Sequence, residues 1–123
     1  MDNLIAKARE LLEKKTVNVI IGYEAGPTGI ARPAFISDPS KAEKLIYDVR
    51  CVQNLAVYLT KPEVRKLGKM GIVATLPVMR SIMMLISEQQ ITADDTVVLG
   101  ISSEGKLLEI ADIKVMQGFI EKS

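Results

Sequence analysis

The chain has no histidine, no tryptophan and a single cysteine, Cys51. One thiolate without imidazole cannot supply the three or four ligands of a zinc or iron–sulfur centre, and it cannot close an internal disulfide. A reducing, cytoplasmic setting is the expectation. An excess of one charge is missing as well: 16 basic side chains stand against 15 acidic ones, for a net charge of +1. A nucleic-acid partner held by an electrostatic stripe is therefore not expected. No apolar run approaches the roughly 18 residues of a spanning helix. Residues 1–15 are amphipathic and charged, without the basic flank, apolar centre and cleavage site of a signal peptide. Neither membrane insertion nor export is expected.

What is present has the balance of a globular chain. Hydrophobic residues make up 48% of 123 positions, the length at which one core and one domain are expected. In residues 2–15, Leu4, Ile5, Ala8, Leu11 and Leu12 recur at helical intervals, which predicts a first helix. Residues 17–23 (VNVIIGY) form a β-branched run closed by glycine, as in a strand buried on both faces. Residues 24–35 hold paired Gly and Pro and predict a loop, with a short extended piece at 32–36. Asp38-Pro39-Ser40 has the cap and first-turn proline of a short helix over 41–47. Residues 52–59 and the segment after Thr60 predict two short helices, the second stopped by Gly68.

Residues 69–75 (KMGIVAT) predict a second core strand, and residues 76–89 an apolar-faced helix entered through Pro77. A third strand is expected at 96–102 (TVVLGIS), a turn at 103–106 and a closing helix at 110–122. Strands alternating with helices give the fold class: α/β, in two or three layers, with a small, mainly parallel sheet and flanking helices.

Chemistry-bearing residues are few. The glycine-rich stretch 22–29 (GYEAGPTG) follows a strand, where backbone amides at Gly22, Tyr23, Gly26 and Gly29 could cradle a phosphate or a flavin pyrophosphate. It lacks both the GxGxxG order and the Gly-Lys-Ser/Thr ending, and so reads first as a plain loop. Cys51 has no neighbouring histidine to activate it and reads as an inert, buried thiol. Met79, Met83 and Met84, with Ile82, Leu85 and Ile86, suit a core face or a subunit contact. Arg32, Arg50 and Arg80 would form a site if they met at the ends of the strands, and are otherwise surface arginines. Asp94 and Asp95 read as turn and capping residues. No catalytic residue and no metal ligand is assigned.

Several stretches, in order, resemble one family. They are Gly22-Tyr23 after the first strand, Arg32-Pro33, Cys51 with Asn54-Leu55 and Tyr58-Leu59, Glu88 with Gln90-Ile91, and Val98-Leu99-Gly100-Ile101. Over residues 16–102 the chain is similar to the N-terminal domain of the beta subunits of coenzyme F-420 hydrogenases and dehydrogenases and their iron–sulfur flavoprotein relatives. The resemblance implies an α/β scaffold in a redox complex; the larger members carry FAD and cysteine-ligated clusters and pass electrons to a partner. Where that pattern has cysteines, this sequence reads Ala74-Thr75-Leu76-Pro77-Val78 and Ser102-Ser103-Glu104-Gly105. It also ends at Ser123, before the flavin- and cluster-binding remainder of the larger members. The resulting expectation is a non-catalytic module that docks on a redox-complex partner or forms a homo-oligomer. The alternative is a small redox protein binding FAD, FMN or a nucleotide through loop 22–29, with Asn54 and Arg80 as polar contacts.

Overall fold

The computed structural model describes residues 2–27, 29–47, 51, 54–102, 106–108 and 112–122. Helix α1 (Asp2–Glu13) buries Leu4, Ala8, Leu11 and Leu12, a stripe with the period of the helix. It ends without glycine: Lys15 takes a left-handed φ of 57°, and the Lys15 and Thr16 N–H groups donate to the Leu12 and Leu11 carbonyls. That pair of bonds is a Schellman closure built on a lysine.

Four strands follow, β1 (Val19–Ala25), β2 (Ala31–Ile36), β3 (Met70–Ala74) and β4 (Thr96–Gly100). They form one mixed sheet in the order β2-β1-β3-β4, with β1–β3 and β3–β4 parallel and β1–β2 an antiparallel hairpin. The expected extended piece at 32–36 is a full strand. Pro33 does not break it because β2 lies at the sheet edge, where a missing N–H is tolerated.

Side chains alternate across the sheet and build an apolar cluster on each face. Ile20, Ala34, Ile36, Val73, Leu99 and Ile101 pack with α1 and with Ala42 and Leu45 of the segment after β2. Val19, Ile21, Tyr23, Ile72, Ala74 and Val98 pack on the other face with the remaining helices. Those are a 3-10 turn (Leu55–Thr60), the short α2 (Pro62–Arg65), α3 (Leu76–Ser87) and α4 (Ile113–Glu121). The molecule is thus α/β with helices on both faces of the sheet.

The helix expected at 41–47 is a 3-10 turn, Pro39–Lys44, which Asp38 caps by accepting from the Ser40 N–H at 3.0 Å. Of the two helices expected around Thr60, the first is 3-10 and the second a single α turn. The expected turn at 103–106 falls mostly outside the described residues; Leu107, beyond it, makes an antiparallel bridge with Ile101. Helix α4 is capped by Asp112, which accepts from the Val115 N–H at 2.8 Å. Among the described residues no helix is long and apolar enough to cross a membrane.

Candidate functional site

The central strands separate at their carboxyl ends. Parallel pairing of β1 with β3 stops at Ile21–Ile72, whereas β3 stays paired with β4 as far as Ala74–Gly100. Beyond the split, Ile46 takes the vacated edge of β1, its N–H donating to the Tyr23 carbonyl at 2.9 Å. A crevice outside the carboxyl ends of the strands is where open α/β sheets receive ligands. Here it is a cavity of about 430 Å³ lined by Tyr47, Thr75, Leu76, Pro77, Ile101, Ser102, Leu108 and Phe119.

None of those lining side chains is charged. Thr75 is the N-cap of α3, with extended backbone (φ −81°, ψ 174°), yet its hydroxyl makes no capping bond. The Ser102 hydroxyl oxygen accepts from the Lys106 N–H at 3.1 Å. Beside the cavity the Tyr23 and Tyr47 rings lie 6.1 Å apart, tilted by 59°. Burial first, and then the neighbouring Cys51 and Tyr47, push the Tyr23 hydroxyl up to about 12. Tyr47 is shifted upward by burial and by Cys51. Cys51 is half-buried, with its Sγ 3.9 Å from the Ile46 carbonyl oxygen.

A second concave surface lies over the 3-10 turn Leu55–Thr60 and α3. It is a groove of about 260 Å³ between Val57 and Met84, edged by Asn54, Thr60, Ser81 and Gln90. Val57 and Met84 are 48% and 62% exposed, high values for large apolar side chains on neighbouring elements. The methionines of α3 have separate fates: Met79 is fully buried, Met83 half-buried and Met84 exposed.

The residues expected to bind a cofactor are distributed over several surroundings. Gly22 lies within β1, where a Cβ would come within 2.5 Å of Leu45 Cδ2 and 3.3 Å of Val73 Cγ2, so its smallness serves packing. Tyr23 is buried on the opposite face of the strand. Gly26 and Gly29 belong to the β1–β2 hairpin turn: the Gly26 N–H donates to the Ile30 carbonyl at 3.1 Å, and Gly29 has φ 81°. Loop 22–29 therefore leads into a strand, not into the helix N-terminus that completes a phosphate cradle.

Asn54 caps the 3-10 turn, accepting from the Ala56 N–H at 2.9 Å and donating to the Ser81 hydroxyl at 2.8 Å. Arg80 is exposed on α3, one residue from Ser81. Arg32 pairs with Glu24 across the hairpin at 3.2 Å, on the sheet face opposite α3. Arg50 lies outside the described residues, so the structure brings no arginine cluster together among those it describes. Asp95 is a turn residue, accepting from the Thr92 hydroxyl at 2.9 Å.

Sequence reasoning did not assemble the crevice. One signal is available: the ends of the second and third expected strands and the residues after the second reach the same cavity through Thr75, Leu76, Pro77 and Ser102. Among the described residues no three His, Cys, Asp or Glu side chains are grouped as ligands for a metal ion. No protein-family model matches the chain, and no curated protein matches it.

Proposed function

We propose that this chain is a non-catalytic binding module of the cytoplasm, related to redox-complex beta subunits, that pairs with a second copy of itself through the exposed face of α3. The observation that carries this reading is a three-residue stripe. Arg80, Met84 and Glu88 follow one another at four-residue intervals and are all exposed, Glu88 continuing the helical pattern through its N–H bond to the Met84 carbonyl at 3.0 Å. Residues four apart form one ridge of a helix.

If two copies of α3 cross antiparallel about a twofold axis at Met84, Met84 meets Met84, and Arg80 of each copy faces Glu88 of the other. The ridge is apolar at its centre and opposite in sign at its ends, so it complements itself, as an isologous interface requires. Val57 and the groove beside Met84 extend the apolar centre. The uncharged edge of Asn54, Ser81 and Gln90 adds no repulsion between copies, and a net charge of +1 adds very little. The resemblance over residues 16–102 and the lone cysteine support a scaffold that binds without carrying clusters.

Sedimentation velocity tests this. Wild type is expected to be dimeric at micromolar concentration. Arg80→Glu and Glu88→Arg each set like charges against one another twice and should weaken the dimer at least tenfold, while the double charge swap restores it. Four proteins that are all monomeric, or a double swap as weak as the singles, would exclude the arrangement. Capture of a redox-complex subunit through Met84 would replace the second copy by that partner.

The competing reading, a flavin or nucleotide on loop 22–29, requires a protein that is yellow or gains thermal stability from FMN or FAD. A colourless preparation with no such gain removes it.

A further inference from the structure

We infer that the crevice at the carboxyl ends of β3 and β4 is a binding site for a small, uncharged ring compound with a polar group on one edge. The cavity of about 430 Å³ lies within the range of roughly 300–1,000 Å³ typical of small-molecule sites, toward its small end. Its walls are Leu76, Pro77, Leu108 and Phe119, and Leu76, Leu108 and Phe119 are only partly buried. A flat apolar body inserted between them would remove this surface from water.

Charge is disfavoured in the occupant because no lining side chain among the described residues carries an opposite charge, and a buried charge without a partner is costly. The polar contact falls to Thr75. Its hydroxyl stands where an N-cap would normally bond the helix and makes no such bond. The Ser102 oxygen, in contrast, is held by the Lys106 N–H. The site follows from the separation of β1 and β3 and owes nothing to the α3 face proposed for self-association.

The test is a titration of 15N-labelled protein with 2-naphthol, followed by amide shifts and run on both wild type and Arg80→Glu so that association state does not enter. Saturable shifts below about 1 mM, confined to residues 47, 75, 76, 78, 79, 101, 102, 108 and 119, are expected for a probe of this size. Naphthalene-2-sulfonate, similar in shape but charged, should bind at least tenfold more weakly. Thr75→Val, which keeps the shape and removes the hydroxyl, should weaken 2-naphthol about three- to tenfold with unchanged thermal stability. Leu108→Trp should fill the cavity and abolish binding. Unsaturable or dispersed shifts, equal affinity for the sulfonate, or no effect of Thr75→Val would each overturn the assignment.

Discussion

Replacing Ile72 by alanine should lower the stability of the protein by about 3–5 kcal/mol, the upper part of the range for removing a buried isoleucine side chain. Ile72 is fully buried at the middle of β3, with Ile21 and Val98 beside it in register on the two neighbouring strands. Leu55, Leu59, Met79 and Ile82 belong to the same apolar cluster. Ile72 sits on a strand paired on both edges, and the side chains in register with it are β-branched, so they have few rotamers with which to fill the space left behind. The cavity should persist and its cost should add to the lost burial. Thermal unfolding would show a midpoint lowered by about 10–20 °C. Ile30→Ala, at a position 58% exposed in the hairpin turn, should stay within about 0.5 kcal/mol of wild type. A loss below about 1 kcal/mol for Ile72→Ala would mean that the sheet is not packed as described.

The second large effect is a loss of stability in alkali that depends on Tyr23. Its hydroxyl ionises near pH 10 in an unfolded chain and near 12 in the folded protein, because burial opposes the phenolate and Cys51 and Tyr47 add to that opposition. Between those values the folded protein holds a proton that the unfolded chain has released. The stabilising contribution is therefore fully present below pH 10 and falls by about 1.4 kcal/mol per pH unit as pH rises toward 12, about 2–3 kcal/mol in all. Lysines titrate over the same interval, so the informative quantity is the difference between wild type and Tyr23→Phe in urea unfolding at pH 9, 10, 11 and 12. That difference should change steadily in favour of the variant above pH 10. A constant difference would show that Tyr23 ionises as freely folded as unfolded.

Much of this architecture is legible in the order of the residues. The β-branched run ending at Gly22-Tyr23 reads as a strand buried on both faces, and β1 is one, although it begins at Val19 and continues to Ala25. Helices α1 and α3 are evident from their periodicity, but both expected ranges overrun by two residues, to Lys15 and Gln89. Each overrun ends on a residue with a left-handed φ, 57° and 61°, a conformation usually marked by glycine. Without glycine as a marker, the helical pattern of Lys14-Lys15 and Glu88-Gln89 gives no stop signal.

Pro33 has the opposite effect, reducing a full strand to a short extended piece at the end of an expected loop, because its edge position depends on which strands pair. The crevice was less accessible still. Thr75 and Ser102 close two expected strands and can be anticipated from the rule for open sheets, but Tyr47 joins them where β1 and β3 part after Ile21 and Ile72, and Leu108 where its N–H bonds the Gly100 carbonyl at the end of β4. That separation is a matter of tertiary geometry, and no local pattern encodes it.

The hairpin carries one more implication. Counting from the Gly26–Ile30 bond, the hydrogen-bonded pairs of β1 and β2 include Glu24–Arg32 and Gly22–Ala34, while Tyr23–Pro33 is a non-bonded pair. The backbone nitrogens of Ala31, Pro33 and Phe35 therefore point away from the sheet, and the middle one carries no hydrogen. A strand arriving from another molecule would find two donors separated by a silent position. Zipping further chains onto this border is accordingly discouraged, leaving growth of the sheet into fibres at a disadvantage relative to contacts made through helices.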